Sequence, residues 1–491
     1  MKESTASEQV PIPAWAVTLL SFPVAAVIGF VAADSLTLVG AATAGVIALL
    51  LFFLVRFSIP VKLIFLLVTM SFLQRLLGYF KVGEVRGLNI GNLLLLAGFS
   101  YWLLNGLQRG RLYRPTPVDF WLAMATVAVP VFSIIFTVVF RKVPGYSFGE
   151  QLAWYKQWVT PFVYFFLVCQ TMERKRDIRL IFYLVVALTA LAVLEGLPEA
   201  LRFSNWHLQR SEGIVGQAND YAALIAIIAP FLFLVLFLWK ERPVARLIAL
   251  LMLGAMALTM ITTYSRAGYV GFAIALVATL YVTYRGTGKI PLGMPSLAVM
   301  GACLLPVVAV PELLEYVQNR FELDTYKRAK RKSYTEYGLL NQYSGDRLEL
   351  WKGALGMAHD YPFFGVGFHS FELELPRYNA KGESNYPHNQ FLGALAEGGI
   401  IWLSLLVVFF WKLFRFLYHN WRATLAAEDW LGQIICGGAI VSFVVMTWIA
   451  MSNDFLNPGP KNIIFWVMMG SAIRYGTLIR TGEEALEEST R

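Results

Sequence analysis

The chain has 491 residues, of which 57% are hydrophobic and 15% charged, and its formal net charge is +9. So little charge cannot cover the surface of a soluble protein this large, which excludes a soluble enzyme. Nor is the positive balance a nucleic-acid signal, because Lys and Arg gather in short segments between apolar runs, as in the cytoplasmic loops of membrane proteins.

Residues 1–14 form a polar tail carrying Lys2, Glu3 and Glu8, and apolar sequence begins near Trp15. That run is soon followed by another, so it reads as a first spanning helix and not as a cleaved signal peptide. Runs long enough to cross the roughly 30 Å hydrocarbon core lie near residues 15–33, 36–55, 59–74, 89–106, 119–140, 153–171, 178–196, 221–239, 245–263, 267–284, 291–310, 391–411, 431–450 and 462–479. The expected fold is an all-α polytopic membrane protein of about fourteen transmembrane helices. Helices 1–11 occupy 15–310, helices 12–14 occupy 391–480, and 481–491 is a second tail.

Loop charge orients the chain. Arg109, Arg111 and Arg114 mark one cytoplasmic loop, and Arg174, Lys175, Arg176 and Arg179 a second. Lys240, Arg242 and Arg246 mark a third, Arg285 and Lys289 a fourth, and Lys412, Arg415 and Arg422 a fifth. These loops alternate with the spans and place both termini in the cytoplasm. The segments 141–152, 197–220, 264–266, 311–390 and 451–461 then face the far side. No ATP is available there, so a synthetic reaction would need a substrate already activated.

The large extracytoplasmic loop 311–390 carries amphipathic helices. Residues 311–323 open with proline, which suits a helix start. A basic run, 327–332, follows; such runs are usually solvated, although this one would also suit an acidic polymer or lipid phosphates. From Asp346, the residues Leu348, Trp351 and Leu355 recur at helical spacing. Pro362 ends that helix, and Gly365-Val366-Gly367 reads as a flexible turn. The loop closes on Tyr386-Pro387-His388-Asn389-Gln390, running straight into the next span.

Three cysteines, Cys169, Cys303 and Cys436, lie far apart in apolar sequence, without a CxxC motif. With no HExxH, P-loop or carboxylate cluster, neither a metal nor a cofactor is expected. Arg266 sits between two spans with almost no loop around it. It reads as a snorkelling anchor or as an anion-binding group in a polar cavity. Arg210 precedes a glycine-containing turn and is either a solvated loop charge or a second anion contact. Asn219 is placed to cap the following helix. His388 suits proton transfer near neutral pH, with Asn389 as the N-cap of the helix after it. Arg347 is a helix-surface charge or a further anion contact, whereas His207, His359 and His369 read as structural. Asp454 stands alone. Arginines and one histidine outside the cytoplasm suggest a diphosphate leaving group and a proton acceptor.

Four motifs in order carry a resemblance. They are Arg210 with Gly213…Asn219; Ser265-Arg266-Ala267-Gly268; Arg347-Leu348…Trp351 with Pro362-Phe363-Phe364-Gly365-Val366-Gly367; and His388-Asn389, nine residues, then Gly399. Over residues 200–410 the chain resembles the O-antigen ligase and polymerase family of bacterial membrane glycosyltransferases. The resemblance implies a GT-C-like, inverting, metal-independent transferase in the inner membrane, with its active site facing the periplasm. The donor would be an undecaprenyl-diphosphate-linked glycan. The acceptor would be another glycan or lipid A-core, and a chain-length regulator or export machinery would be possible partners. Arg210 and Arg266 would bind the diphosphate, and His388 would activate the acceptor hydroxyl. Trp402 stands where family ligases often carry Gly, Thr or Tyr. That departure, with more spans than the roughly twelve usual in ligases, tilts the reading toward a polymerase. A transporter or flippase without chemistry, or an export-complex scaffold, is the rival. Transporters place their ionisable groups at mid-membrane depth, whereas here they sit at span ends.

Overall fold

The structure, a computed structural model, describes residues 58–73, 90–110, 112–201, 210–289, 347–378, 386–452 and 459–482. The expected spans 15–33, 36–55 and 291–310, both tails apart from residues 481–482, the helix 311–323, the basic run 327–332, and His207, Cys303, Asp346 and Asp454 lie outside these residues. The chain divides into two compact units, Met1–Lys62 and Leu63–Arg491, and the description below concerns the second.

In chain order the helices are α1 (Ile59–Leu73, crossing the unit boundary), α2 (Ile90–Gln108), α3 (Asp119–Arg141), α4 (Phe148–Thr171), α5 (Lys175–Leu201) and α6 (Ala218–Leu238). Then follow α7 (Pro243–Thr262), α8 (Arg266–Thr287), α9 (Arg347–Asp360), α10 (Gln390–Ala426), α11 (Trp430–Ala450) and α12 (Pro460–Thr481). No strand occurs among the described residues, so the protein is an all-α polytopic membrane protein. Eight of these helices are long and apolar enough to cross a membrane: α3, α5–α8 and α10–α12. Of the other expected spans, α1 has only 15 residues, α2 has 19 interrupted by Asn92 and Asn105, and α4 opens with Glu150, Gln151, Lys156 and Gln157.

Helix α6 is apolar on every side, the pattern of a helix enclosed by others. Its most apolar stretch is 94% buried, against 33% for α7, which turns Leu247, Ile248 and Leu251 outward. Helices α8 and α11 pack on α6, and α12 packs on α4, α10 and α11. Three aromatic rings mark the junction of α4, α10 and α12: Trp466 lies 4.6 Å from Phe162 and 5.9 Å from Phe409.

The expected span at 391–411 is corrected. A straight α10 would separate Phe391 from Phe410 by about 28 Å at 1.5 Å per residue, yet their ring centroids lie 6.1 Å apart. At Gly399 the backbone leaves helical geometry (φ 66°, ψ −167°). Residues 390–398 therefore fold back against 400–426, and only the second piece can span. Lys412, Arg415 and Arg422 lie within that second piece and not in a loop. The polar segment does not run straight into a span; it enters through a re-entrant half-helix.

Helix α3 contains two wide turns of the π type, at Met124–Ala128 and Thr137–Arg141. Pro130 has no N–H and cannot satisfy the preceding carbonyls. Outside donors replace it: Trp402 Nε1 donates to Ala125 O at 2.9 Å, and Tyr155 Oη to Thr126 O at 3.3 Å.

Candidate functional site

His388 belongs to a corner assembled from sequence-distant loops. The fold-back of α10 leaves the last carbonyls of residues 390–398 without helical partners, and the turn after α9 supplies donors. Val366 N donates to Ala396 O at 2.8 Å, Gly367 N to Glu397 O at 2.9 Å, and Ile400 N to Pro362 O at 2.8 Å. Two glycines permit this approach. Gly365 (φ +64°) and Gly399 (φ +66°) occupy left-handed backbone. A Cβ on Gly365 would fall inside the radius of Glu397's carbonyl carbon, and one on Gly399 inside that of Phe363's. The Pro362–Gly367 motif and the Gly399 motif are thus two halves of one lock. Since Val366 is fully buried and these bonds are made, Gly365-Val366-Gly367 is a fixed turn, which overturns the expected flexible one.

Arg141, at the end of α3, holds the same turn. Its guanidinium donates to Val366 O, pairs with buried Glu374 at 3.3 Å and lies 4.0 Å from the Tyr361 ring. Phe368 N donates to Ser133 Oγ at 2.8 Å, Tyr146 Oη donates to Phe368 O at 2.8 Å, and His369 stacks on Trp154 at 4.3 Å. His369 is accordingly structural, as expected. Helix α9 forms where predicted but buries a different face. Leu350, Ala354 and Met357 pack with Val366, Phe371 and Ala396, while Leu355, expected inside, is 54% exposed. The partner is the fixed turn, which the helix's own spacing does not reveal.

His388 itself has φ 53° and is half-buried. Pro387 O accepts from Trp351 Nε1 at 3.0 Å, tying this loop to α9. Asn389 is the N-cap: its Oδ1 accepts from Phe391 N at 3.0 Å and Leu392 N at 3.1 Å. Burial, then the Arg347 charge at the start of α9, pushes the imidazole below the ordinary histidine range. His388 is therefore neutral at pH 7 and able to accept a proton.

The arginines form a second corner. Arg210 Nε donates to Thr263 O at 2.7 Å and Nη2 to Asn219 Oδ1 at 2.8 Å, which fixes the guanidinium plane. Arg210 is thus anchored and partly buried, not a freely solvated loop charge. Helix α6 begins at Ala218 with Gln217 as its N-cap residue, which corrects the capping role expected of Asn219; that side chain orients Arg210. Arg266 is exposed and is the first residue of α8, which Ser265 Oγ caps by accepting from Gly268 N at 3.3 Å. A cation at a helix N-terminus opposes the helix dipole, and an anion bound there would relieve both. Nearby, buried Lys461 of α12 pairs with Asp220 of α6.

Contacts tie each corner to α11. Ser211 N donates to Thr262 O, joining the segment before α6 to the end of α7. Trp448 Nε1, near the end of α11, donates to Ala267 O at 3.3 Å, one residue after Arg266. On the other side Phe391 meets Phe410, which lies 5.5 Å from Phe443 of the same α11. Sequence reading passed over Arg141 and Lys461, and took Asp220 only as a residue at the helix start. Only the sidedness of Arg141, at a span end away from the basic loops, offered a signal. Among the described residues, no three His, Cys, Asp or Glu side chains cluster in a way that could hold a metal ion.

A family model described as O-antigen ligase matches residues 251–407, from within α7 into the spanning part of α10. The match includes Arg266, Arg347, the fixed turn, His388 and Gly399. An O-antigen ligase of Pseudomonas aeruginosa is 28% identical over 273 residues, or 54% of this chain. The aligned part spans 57% of that protein's length. Over residues 251–407 the chain is thus similar to the O-antigen ligase family. The family match thus takes in the His388 corner and the Arg266 turn, but Arg210, Asn219 and Lys461 lie outside it. Trp402, inside the match, is 2% exposed and wedged beside Trp158 and Phe368. It packs inside the core beside the α10 elbow.

Proposed function

We propose that the protein transfers a glycan from a polyprenyl-diphosphate carrier to an acceptor sugar hydroxyl, on the non-cytoplasmic face of the inner membrane. What supports this reading is the half-buried His388, whose imidazole burial and the Arg347 charge push below the ordinary histidine range, together with Arg210 held by Thr263 and Asn219 and Arg266 at the start of α8. The acceptor hydroxyl attacks the anomeric carbon, forming the new C–O bond. The C–O bond to phosphate breaks, and its electron pair leaves with the lipid diphosphate. His388 takes the hydroxyl proton. Arg210 and Arg266 neutralise the charge growing on the diphosphate, and a guanidinium fork matches its oxygens. Backside attack inverts the anomeric configuration, and no metal takes part. Undecaprenyl is the carrier that the family resemblance implies.

The relative's name favours lipid A-core as acceptor, with a second glycan repeat as the polymerase alternative. Purified protein given carrier-linked glycan and either acceptor should release lipid diphosphate. Lipid A-core alone supporting turnover identifies a ligase, and the glycan repeat alone a polymerase. Absence of turnover with every acceptor, together with glycan-lipid movement across vesicles, would replace transfer with transport.

A further inference from the structure

His388, at φ 53°, occupies the left-handed region, which a residue with a side chain keeps only where its surroundings hold it. Two holds act on its neighbours. Asn389 caps residues 390–398, and Tyr386 sits against Gly393, where an added Cβ would lie 2.6 Å from the tyrosine hydroxyl. A third acts on the peptide plane of His388 itself. Pro387 is buried, and its carbonyl accepts from Trp351 Nε1 at 3.0 Å.

The spacing of α9 explains how the indole reaches that carbonyl. The stripe Leu350, Ala354 and Met357 packs on Val366 of the fixed turn and on Ala396 of the folded-back half-helix. Arg347 and Trp351, four residues apart, share the adjoining face of α9. From that face the Arg347 charge acts on His388, and the half-buried Trp351 donates to the carbonyl just before it. Helix α9 and residues 390–398 are already packed together, so the indole bond closes a circuit through α9, residues 387–389 and the half-helix. Rotation of the Pro387–His388 peptide would break that bond and swing the imidazole.

We propose that Trp351 is a positioning residue for His388: its Nε1–H fixes the Pro387–His388 peptide and so aims the imidazole at the acceptor hydroxyl. This rests on the reading of His388 as the proton acceptor. Trp351 acts through the Pro387 carbonyl and not on the substrate, so its loss should slow the chemical step and leave substrate binding unchanged. A misplacement of about 1 Å at a reacting group costs up to about 10²-fold in rate.

The test uses the full chain in detergent, carrier-linked glycan and the acceptor that supports turnover, with release of lipid diphosphate as the readout. Trp351→Phe keeps an aromatic ring and deletes the donor. Should that variant fail to fold, benzothienylalanine at position 351 keeps the indole shape and replaces only the N–H, with sulfur. Either change should lower kcat by about 10- to 100-fold with KM within about twofold. In the His388→Ala background the same change should cost no more than about twofold, because nothing remains to be aimed. A wild-type kcat, a raised KM at unchanged kcat, or equal fractional losses in both backgrounds would overturn the positioning role and leave the transfer reading standing. Full activity of His388→Ala, or no turnover by wild type with any acceptor, would overturn that reading and the positioning role with it.

Discussion

The His388 corner and the arginine corner are built from different materials. The first is a backbone structure, in which carbonyls of a folded-back helix meet amides of a turn and two glycines leave the room. The second is a side-chain structure, in which Asn219 and the Thr263 carbonyl hold Arg210, and Lys461 holds Asp220. Backbone contact tolerates no added atom, while side-chain contact tolerates bulk but not loss of charge. Substitutions at the glycine lock of the first corner should therefore act on folding, and substitutions at His388 and at the second corner on reaction rate.

The largest effect is expected at the lock. Gly399→Ala adds a Cβ against Phe363 at φ +66°. Left-handed strain and overpacking each cost about 1–3 kcal/mol, so the variant should unfold at markedly lower temperature or fail to accumulate in the membrane. An unchanged melting midpoint would dissolve the contrast between the corners.

His388→Ala and Arg266→Ala should instead fold normally and lose about 10²–10⁴-fold in turnover, the range for a proton acceptor or an electrostatic clamp. Full activity in either would remove that residue from the site. Asn219→Ala should be milder, at roughly tenfold, because it loosens Arg210 without deleting it. Arg210→Ala in the Asn219→Ala background should then cost no more than Arg210→Ala alone, since coupled neighbours are not additive.

The smallest effect is a shift in pH dependence. His388 is depressed below its ordinary range, so transfer should hold near neutral pH and fall as acid protonates the imidazole. The same sign applies to stability: a histidine buried neutral costs stability once pH falls below its unfolded-state value. Arg347→Gln removes one cause of the depression, so the acid limb of the rate profile should move to higher pH. A limb that stays in place would show that burial alone sets the value.

Much of this was legible in sequence. Hydropathy placed helices wherever an expected span falls on described residues, because a span needs length and apolarity and both are local properties. The motifs around Arg210, Arg266 and His388 were also visible. The geometry relating them was not. Asn219 read as a cap because Asn before an apolar run usually is one, but the helix starts one residue earlier and its oxygen accepts from Arg210 instead. The α9 face was misread for a similar reason, since its partner comes from the turn that follows it.

The sequence by itself determined the class: an all-α membrane protein whose informative charges sit at span ends. Tertiary structure alone decided that residues 390–398 fold back at Gly399, that the Pro362–Gly367 turn is the mate of that fold, and that Arg141 pins it. Hydropathy records what each residue prefers to leave, water or lipid. It does not record which backbone meets which, and here the 362–367 turn meets residues 396–400 where two glycines leave room.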